Sequence, residues 1–104
     1  MAYQIEITPT ALDALESIND LRTRAAIIRR IDLLAEEPAK QGNALRAELT
    51  GFFSVRAAGQ RYRVIFRIDE AHPKVTVYLV GIRKGGSRND VYNLALRLVR
   101  RGLM

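Results

Sequence analysis

The stretch that most restricts the fold is "FFSVRAAGQRYRVIFRID", residues 52–69, in which apolar and polar residues alternate on both sides of a glycine. A period of two belongs to a strand with one buried face. Gly59-Gln60 near the midpoint suits a tight type II′ turn, so the segment is expected to fold back as an antiparallel hairpin. With a two-residue loop, Ala58 faces Arg61, Arg56 faces Arg63 and Ser54 faces Ile65. Tyr62, Val64, Phe66 and Ile68 then share a core face, while Arg61, Arg63, Ile65 and Arg67 share the other. Opposed like charges weaken a sheet by about a few tenths of a kcal/mol or more per pair. A chain that keeps Arg56 opposite Arg63 beside a turn has a use for the pair.

The rest of the chain supplies what such a hairpin packs on. Tyr3, Ile5 and Ile7 alternate with polar residues and form a short strand. Thr8-Pro9 reads as a helix cap followed by proline in the first turn, with Leu12, Leu15 and Ile18 on the apolar face. Asp20 caps a second helix running to Glu37, where Pro38 ends it, and Ile27, Ile28, Ile31, Leu34 and Ala35 recur on it at helical spacing. Leu45, Ala47 and Leu49 are expected to make a brief strand. "KVTVYLVGIR" continues the sheet after "EAHP", and "KGGS" breaks it. Ser87 with Asp90 reads as a capping box for a last helix, packed through Val91, Leu94, Ala95 and Leu98 and stopped at Gly102. With no repeat and no Ser/Gly linker, residues 1–104 are expected to form one α+β domain: an N-terminal strand, a helical hairpin, an antiparallel meander and a short C-terminal helix.

Charge is distributed unevenly along this plan. Residues 1–51 carry six Lys/Arg against eight Asp/Glu, and residues 52–104 carry eleven against three, within a net charge of +6. A positive field over one side of a small domain fits either a polyanionic partner or a solubilising excess. No cysteine is present and the one histidine, His72, sits beside Pro73, which argues against a metal centre and against disulfides. "MAYQIEITPT" lacks the regions of a signal peptide, and the apolar runs are too short for a membrane span, so a cytoplasmic location is expected.

The cations gather where chemistry is plausible. Arg56, Arg61 and Arg63 lie near the hairpin turn, Arg83 and Lys84 end the next strand, and Arg88 begins the last helix. Guanidinium groups hold phosphate in a bidentate fork, and helix-start amides add donors. The alternative is that these arginines lie flat over apolar surface or pair with Glu48, Asp69 and Glu70. Arg67, further along, is expected to be solvated or ion-paired. Tyr92, at the margin of the last helix, can stack on a base or offer its phenol for proton transfer, or simply cover the core edge. No Ser/His/Asp set, phosphate-binding glycine loop or carboxylate cluster is visible. Phosphodiester cleavage by such residues needs no cofactor only on RNA, whose 2′-hydroxyl is an internal nucleophile.

The order of elements, with "YQIEITPTALDALESI", "LTGFFSVRAAGQRYRVIFRID" and "VYLVGIRK" followed by "NDVY", resembles the RelE/ParE superfamily of bacterial type II toxins over essentially the whole chain. The resemblance implies a RelE-like fold and a metal-independent, ribosome-dependent mRNA endonuclease that inhibits translation. By that similarity Arg63 contacts the scissile phosphate, Arg83 stabilises charge or donates a proton, and Tyr92 stacks on or deprotonates the nucleotide. Arg56, Arg61, Lys84 and Arg88 make up the expected RNA-binding set, and exposed Arg63 and Arg83 are expected to be replaceable with little loss of stability. The implied partners are mRNA, the ribosome and a cognate antitoxin, with operator DNA reached only through the antitoxin. One departure stands out. The two lysines of the best-studied RelE branch fall near Phe52 and Ser54, and neither residue is cationic. The same resemblance admits a ParE-like gyrase inhibitor without nuclease activity, and the charge alone admits a non-catalytic nucleic-acid-binding module.

Overall fold

The computed structural model describes residues 2–104, whose elements run from a strand through a helical hairpin to an antiparallel sheet and a terminal helix. After strand β1 (Gln4–Ile7), the Thr8 hydroxyl accepts a hydrogen bond from the Ala11 amide at 3.2 Å and opens helix α1 (Pro9–Glu16). Asp20 opens helix α2 (Leu21–Asp32) in the same way, accepting from the Arg22 amide at 3.0 Å. The packed stripe of α1 is Ala11 and Leu15, continued by half-buried Ile18, and Leu12 is 46% exposed rather than packed. Spacings of four and three keep Ala11, Leu15 and Ile18 on one side, and Leu12 is turned away from it.

Helix α2 stops five residues short of the expected Glu37. A 3₁₀ turn, Leu33–Ala35, follows it, and Glu36 is then drawn into extended conformation to bridge Ala2 while Ala35 accepts from the Tyr3 amide at 2.7 Å. The short helix α3 (Pro38–Gln41) leads to strand β2 (Asn43–Ala44), two residues ahead of the expected Leu45 start. Ala47–Leu49 forms a 3₁₀ turn instead of a strand and tucks Leu49 into the core.

Strands β3 (Phe53–Ala57), β4 (Tyr62–Asp69) and β5 (Lys74–Ile82) form the expected meander, and the sheet order is β1-β5-β4-β3-β2. Arg56 pairs with Arg63 and Ser54 with Ile65, as the alternation requires. The last pair is Ala57 with Tyr62, so the loop is four residues long and Ala58 does not face Arg61. Ala58 and Gly59 both take positive φ, 49° and 73°, so the chain leaves the ladder one residue early. The Arg61 carbonyl is instead claimed by the Arg83 amide at 2.8 Å. Strand β1 joins the other edge in parallel, Ile7 opposite Val77.

Both faces of the sheet are packed. The helical hairpin covers Val55, Val64, Phe66, Val75, Val77 and Val80 with Ile27, Ile31 and Leu34. Helix α4 (Val91–Arg100) covers Ile65 and Leu79 on the other face, together with Leu49 and Phe52. Between β4 and β5 the register slips. Ile65 pairs with Leu79 but Phe66 with Val77, so Tyr78 is an extra residue. Tyr78 and Leu79 consequently face α4 together, and alternation resumes with Val80 on the hairpin side. No helix among the described residues is long and apolar enough to cross a membrane.

Candidate functional site

The bulge at Tyr78 is what assembles the site. Strict alternation from Val75 and Val77 would aim Gly81 and Arg83 at the helical hairpin. The extra residue reverses their parity, so Gly81 meets Val91 of α4 and Arg83 emerges on the face that carries Arg61, Arg63 and Arg56. Arg56, Arg63 and Gly81 form one row across three strands. Neighbouring strands are about 4.8 Å apart, so the row places the two guanidinium stems side by side, next to a glycine that Val91 covers.

Gly81 is required by its neighbour. A Cβ there would lie 3.0 Å from Val91 Cγ2 and 3.2 Å from Val91 Cβ, closer than carbons pack without displacement. Gly81→Val is expected to destabilise the domain by about 1–3 kcal/mol by overpacking. It should also displace the Tyr92 ring, read as changed Tyr92 side-chain NMR shifts beside a thermal melt. An unaltered melt and spectrum would show that α4 does not depend on this contact.

Arg83 is held on two sides. Its Nη1 donates to Asp90 Oδ1 at 2.6 Å, and its guanidinium carbon lies 5.1 Å from the Tyr92 ring centroid in a cation–π stack. Asp90 is 2% exposed, and the same Oδ1 accepts the Lys84 amide at 2.6 Å while Oδ2 accepts the Tyr92 amide at 3.1 Å. Asp90 is therefore the helix cap, in place of the expected Ser87 box. The Ser87 hydroxyl instead accepts from the Asn89 amide at 3.1 Å and shapes the loop. Arg88 lies in that loop, ahead of the helix it was expected to begin, and its carbonyl accepts from Arg97 Nη1 at 2.9 Å. Sequence reasoning missed Asp90 as a site residue. Its signal was a carboxylate immediately before the first packed residue of the helix, the position with the strongest capping preference.

Burial alone would raise the Asp90 pKa, but the Arg83 guanidinium and the Lys84 and Tyr92 amides outweigh it and hold the carboxyl below the ordinary aspartate range. The folded pKa is the lower one, so this contribution to stability is complete above the unfolded value, near pH 3.9, and is lost as pH falls through the folded value. Urea melts of the wild type are expected to weaken below about pH 4, and Asp90→Asn melts to weaken less across that window. Identical acid limbs for both proteins would mean that Asp90 is not depressed.

Tyr92 is half-buried. Its phenol is not free, because the Tyr92 and Ser54 hydroxyls share a hydrogen bond at 3.0 Å. Ser54 and Phe52, the positions matching the lysines of the family resemblance, are 3% and 4% exposed. They lie beneath the site rather than on its surface. Arg63 is half-buried, with Nη1 donating to the carbonyls of Gln60 at 2.6 Å and Tyr62 at 3.2 Å. Arg56, Arg61, Lys84 and Arg88 are exposed. Arg67 is exposed, as expected of a solvated residue, and makes no ion pair among the described residues; its guanidinium sits 5.0 Å from the Phe52 centroid. The carboxylates considered as partners for the sheet arginines are engaged elsewhere, Glu48 with Arg100, Asp69 with His72 and Glu70 with Tyr3.

The result is an open cationic surface of Arg56, Arg61, Arg63 and Arg83 around one tyrosine, with a single buried carboxylate behind it. Such a surface can grip a phosphodiester from several sides and stack an unpaired base. No group of His, Cys, Asp or Glu that could hold a metal ion occurs among the described residues. A cleft of about 450 Å³ lies between α1, the end of β5 and Leu94, and none of these arginines lines it.

A family model described as ParE toxin of type II toxin-antitoxin system, parDE, matches residues 5–87. Toxin RelG of Mycobacterium tuberculosis is 34% identical over 92 residues, 88% of this chain and 98% of that protein. Toxin RelE of the same organism is 29% identical over 86 residues, 83% of this chain and 87% of that protein. The solved RelBE2 toxin-antitoxin complex from M. tuberculosis contains a chain that superposes with a TM-score of 0.72 at 34% identity, covering 80% of this chain and 100% of that one. A mutant of the E. coli toxin RelE in the free state gives 0.69 at 21% identity, over 93% and 97% of the two chains, a likeness of fold.

Proposed function

Because the chain belongs to the RelE/ParE superfamily of type II toxin-antitoxin toxins, we propose that its cationic face is the active surface of a metal-independent, ribosome-dependent mRNA endonuclease. The observation that supports this best is that Arg63, Arg83 and Tyr92, drawn from three separate elements, converge on one exposed face with Arg56 and Arg61. The RelE and RelG relatives support the nuclease branch.

In the proposed reaction the 2′-oxygen of the message attacks the adjacent phosphorus and passes its proton to water, the bond to the 5′ oxygen breaks, and that oxygen takes up a proton from water. The products are a 2′,3′-cyclic phosphate and a 5′-hydroxyl end. Arg63 and Arg56 grip the non-bridging oxygens, where charge builds in the pentacoordinate state. Arg83 presents its outer N–H groups to the same phosphate or to the departing oxygen. Tyr92 stacks on the nucleotide and, through the bond to Ser54, keeps a fixed orientation. Arg61, Lys84 and Arg88 contact flanking phosphates. A cognate antitoxin, the kind of partner present in the RelBE2 complex, suppresses the activity in the cytoplasm, and any operator DNA is engaged through it.

A second reading, a ParE-like inhibitor of DNA gyrase, draws support from the ParE family model and from the neutral, buried residues Phe52 and Ser54. Primer extension on message after brief induction separates the two. New 5′ ends within open reading frames are expected, with supercoiling by gyrase unaffected by the purified protein. Growth arrest with intact message and inhibited supercoiling would overturn the nuclease reading.

A further inference from the structure

We infer that Asp90 is the positioning residue of the site, fixing Arg83 in the orientation that meets the phosphate. The inference rests on the nuclease reading above. A helix cap alone does not account for it, because Ser, Thr or Asn caps a helix about as well as Asp and carries no charge into the interior. At 2% exposure a carboxylate is retained where it is paired, and here the pair is Arg83 Nη1 at 2.6 Å. One edge of the guanidinium is thus committed to Asp90 and one face to the Tyr92 ring, while its remaining N–H groups have no hydrogen-bond partner among the described residues. Those groups are left to solvent. The carboxylate also holds the Tyr92 amide through its second oxygen, so one side chain sets both partners of the stack. Arg83 is 42% exposed at its side chain, and without Asp90 it would sample the many rotamers of a surface arginine.

The test is a double-mutant cycle on programmed ribosomes, read as the single-turnover cleavage rate constant at saturating protein and the protein concentration giving half saturation. Asp90→Asn keeps the shape and the cap and removes the charge. It is expected to lower the rate constant about 10–100-fold, the usual effect of losing an orienting partner, and to leave half saturation within about twofold. In an Arg83→Ala background the same change is expected to cost nothing further, because its effect passes through Arg83. A rate equal to wild type, or losses that multiply in the double variant, would overturn the inference. Should Asp90→Asn fail to fold, the wild type still decides. Resolved, slowly exchanging Arg83 Nη resonances are expected by NMR, and a freely rotating guanidinium rules the role out. Wild-type protein that cleaves no message overturns the nuclease reading and this role together, whereas wild-type cleavage unchanged by Asp90→Asn overturns this role alone.

Discussion

Arg63→Ala and Arg83→Ala should each slow message cleavage by about 10²–10³-fold, the scale of removing one preorganised donor from a developing oxyanion. The two variants should then part company in stability. Arg63 gives only two hydrogen bonds, both to carbonyls of its own turn, so its loss should cost about 0.5–1.5 kcal/mol. Arg83→Ala strips from the buried Asp90 its only side-chain donor among the described residues, leaving the two amides, and should cost about 1–3 kcal/mol. This revises the expectation that both arginines are merely exposed. Single-turnover cleavage beside urea melts checks both halves. Arg63→Ala at wild-type rate would remove Arg63 from the site, and equal melts for the two variants would deny the Arg83–Asp90 link. Arg56→Ala and Arg61→Ala, lacking such partners, should weaken binding in a salt-dependent way and slow cleavage less.

Phe66→Ala carries the largest expected cost to the fold. The ring is fully buried on β4 and stacks on Phe53 with centroids 5.7 Å apart. Its edge fills the space left by Gly42, where a Cβ would come within 2.8 Å of Phe66 Cζ. Truncating such a phenylalanine costs about 3–5 kcal/mol, the transfer energy plus an unfilled cavity. For a domain of this size that lowers Tm by roughly 12 °C or more, a large share of a total of about 5–15 kcal/mol. Phe66→Leu, which keeps most of the volume, should lose far less. A Tm within a few degrees of wild type for Phe66→Ala would mean that the core is not centred on this ring.

Thr8 and Asp20 were legible as caps because a cap is a bond between a side chain and an amide two or three residues on. The Arg56–Arg63 pairing was legible from alternation even though the turn was not, since loops of two and of four residues centred on the same Gly59-Gln60 midpoint preserve that pairing. Ser87 and Asp90 could both cap locally, and only the nearby Arg83 decides between them. Ser54 carried no signal at all, because its partner Tyr92 is thirty-eight residues away.

What the amino-acid order determined by itself is therefore strands β1, β3, β4 and β5, the starts of α1 and α2, the core face of β4 and the cations on the face opposite. Period and capping are local physics, complete within a few residues. Only the tertiary structure decided that β1 would lie parallel to β5, that Tyr78 would bulge and turn Arg83 toward Arg63, and that Asp90 would hold it. Each of these follows from packing two covered faces onto one sheet. Shifting β5 by a single residue puts Tyr78 and Leu79 on the α4 side and Val80 on the hairpin side, and no window of a few residues contains both of those neighbours.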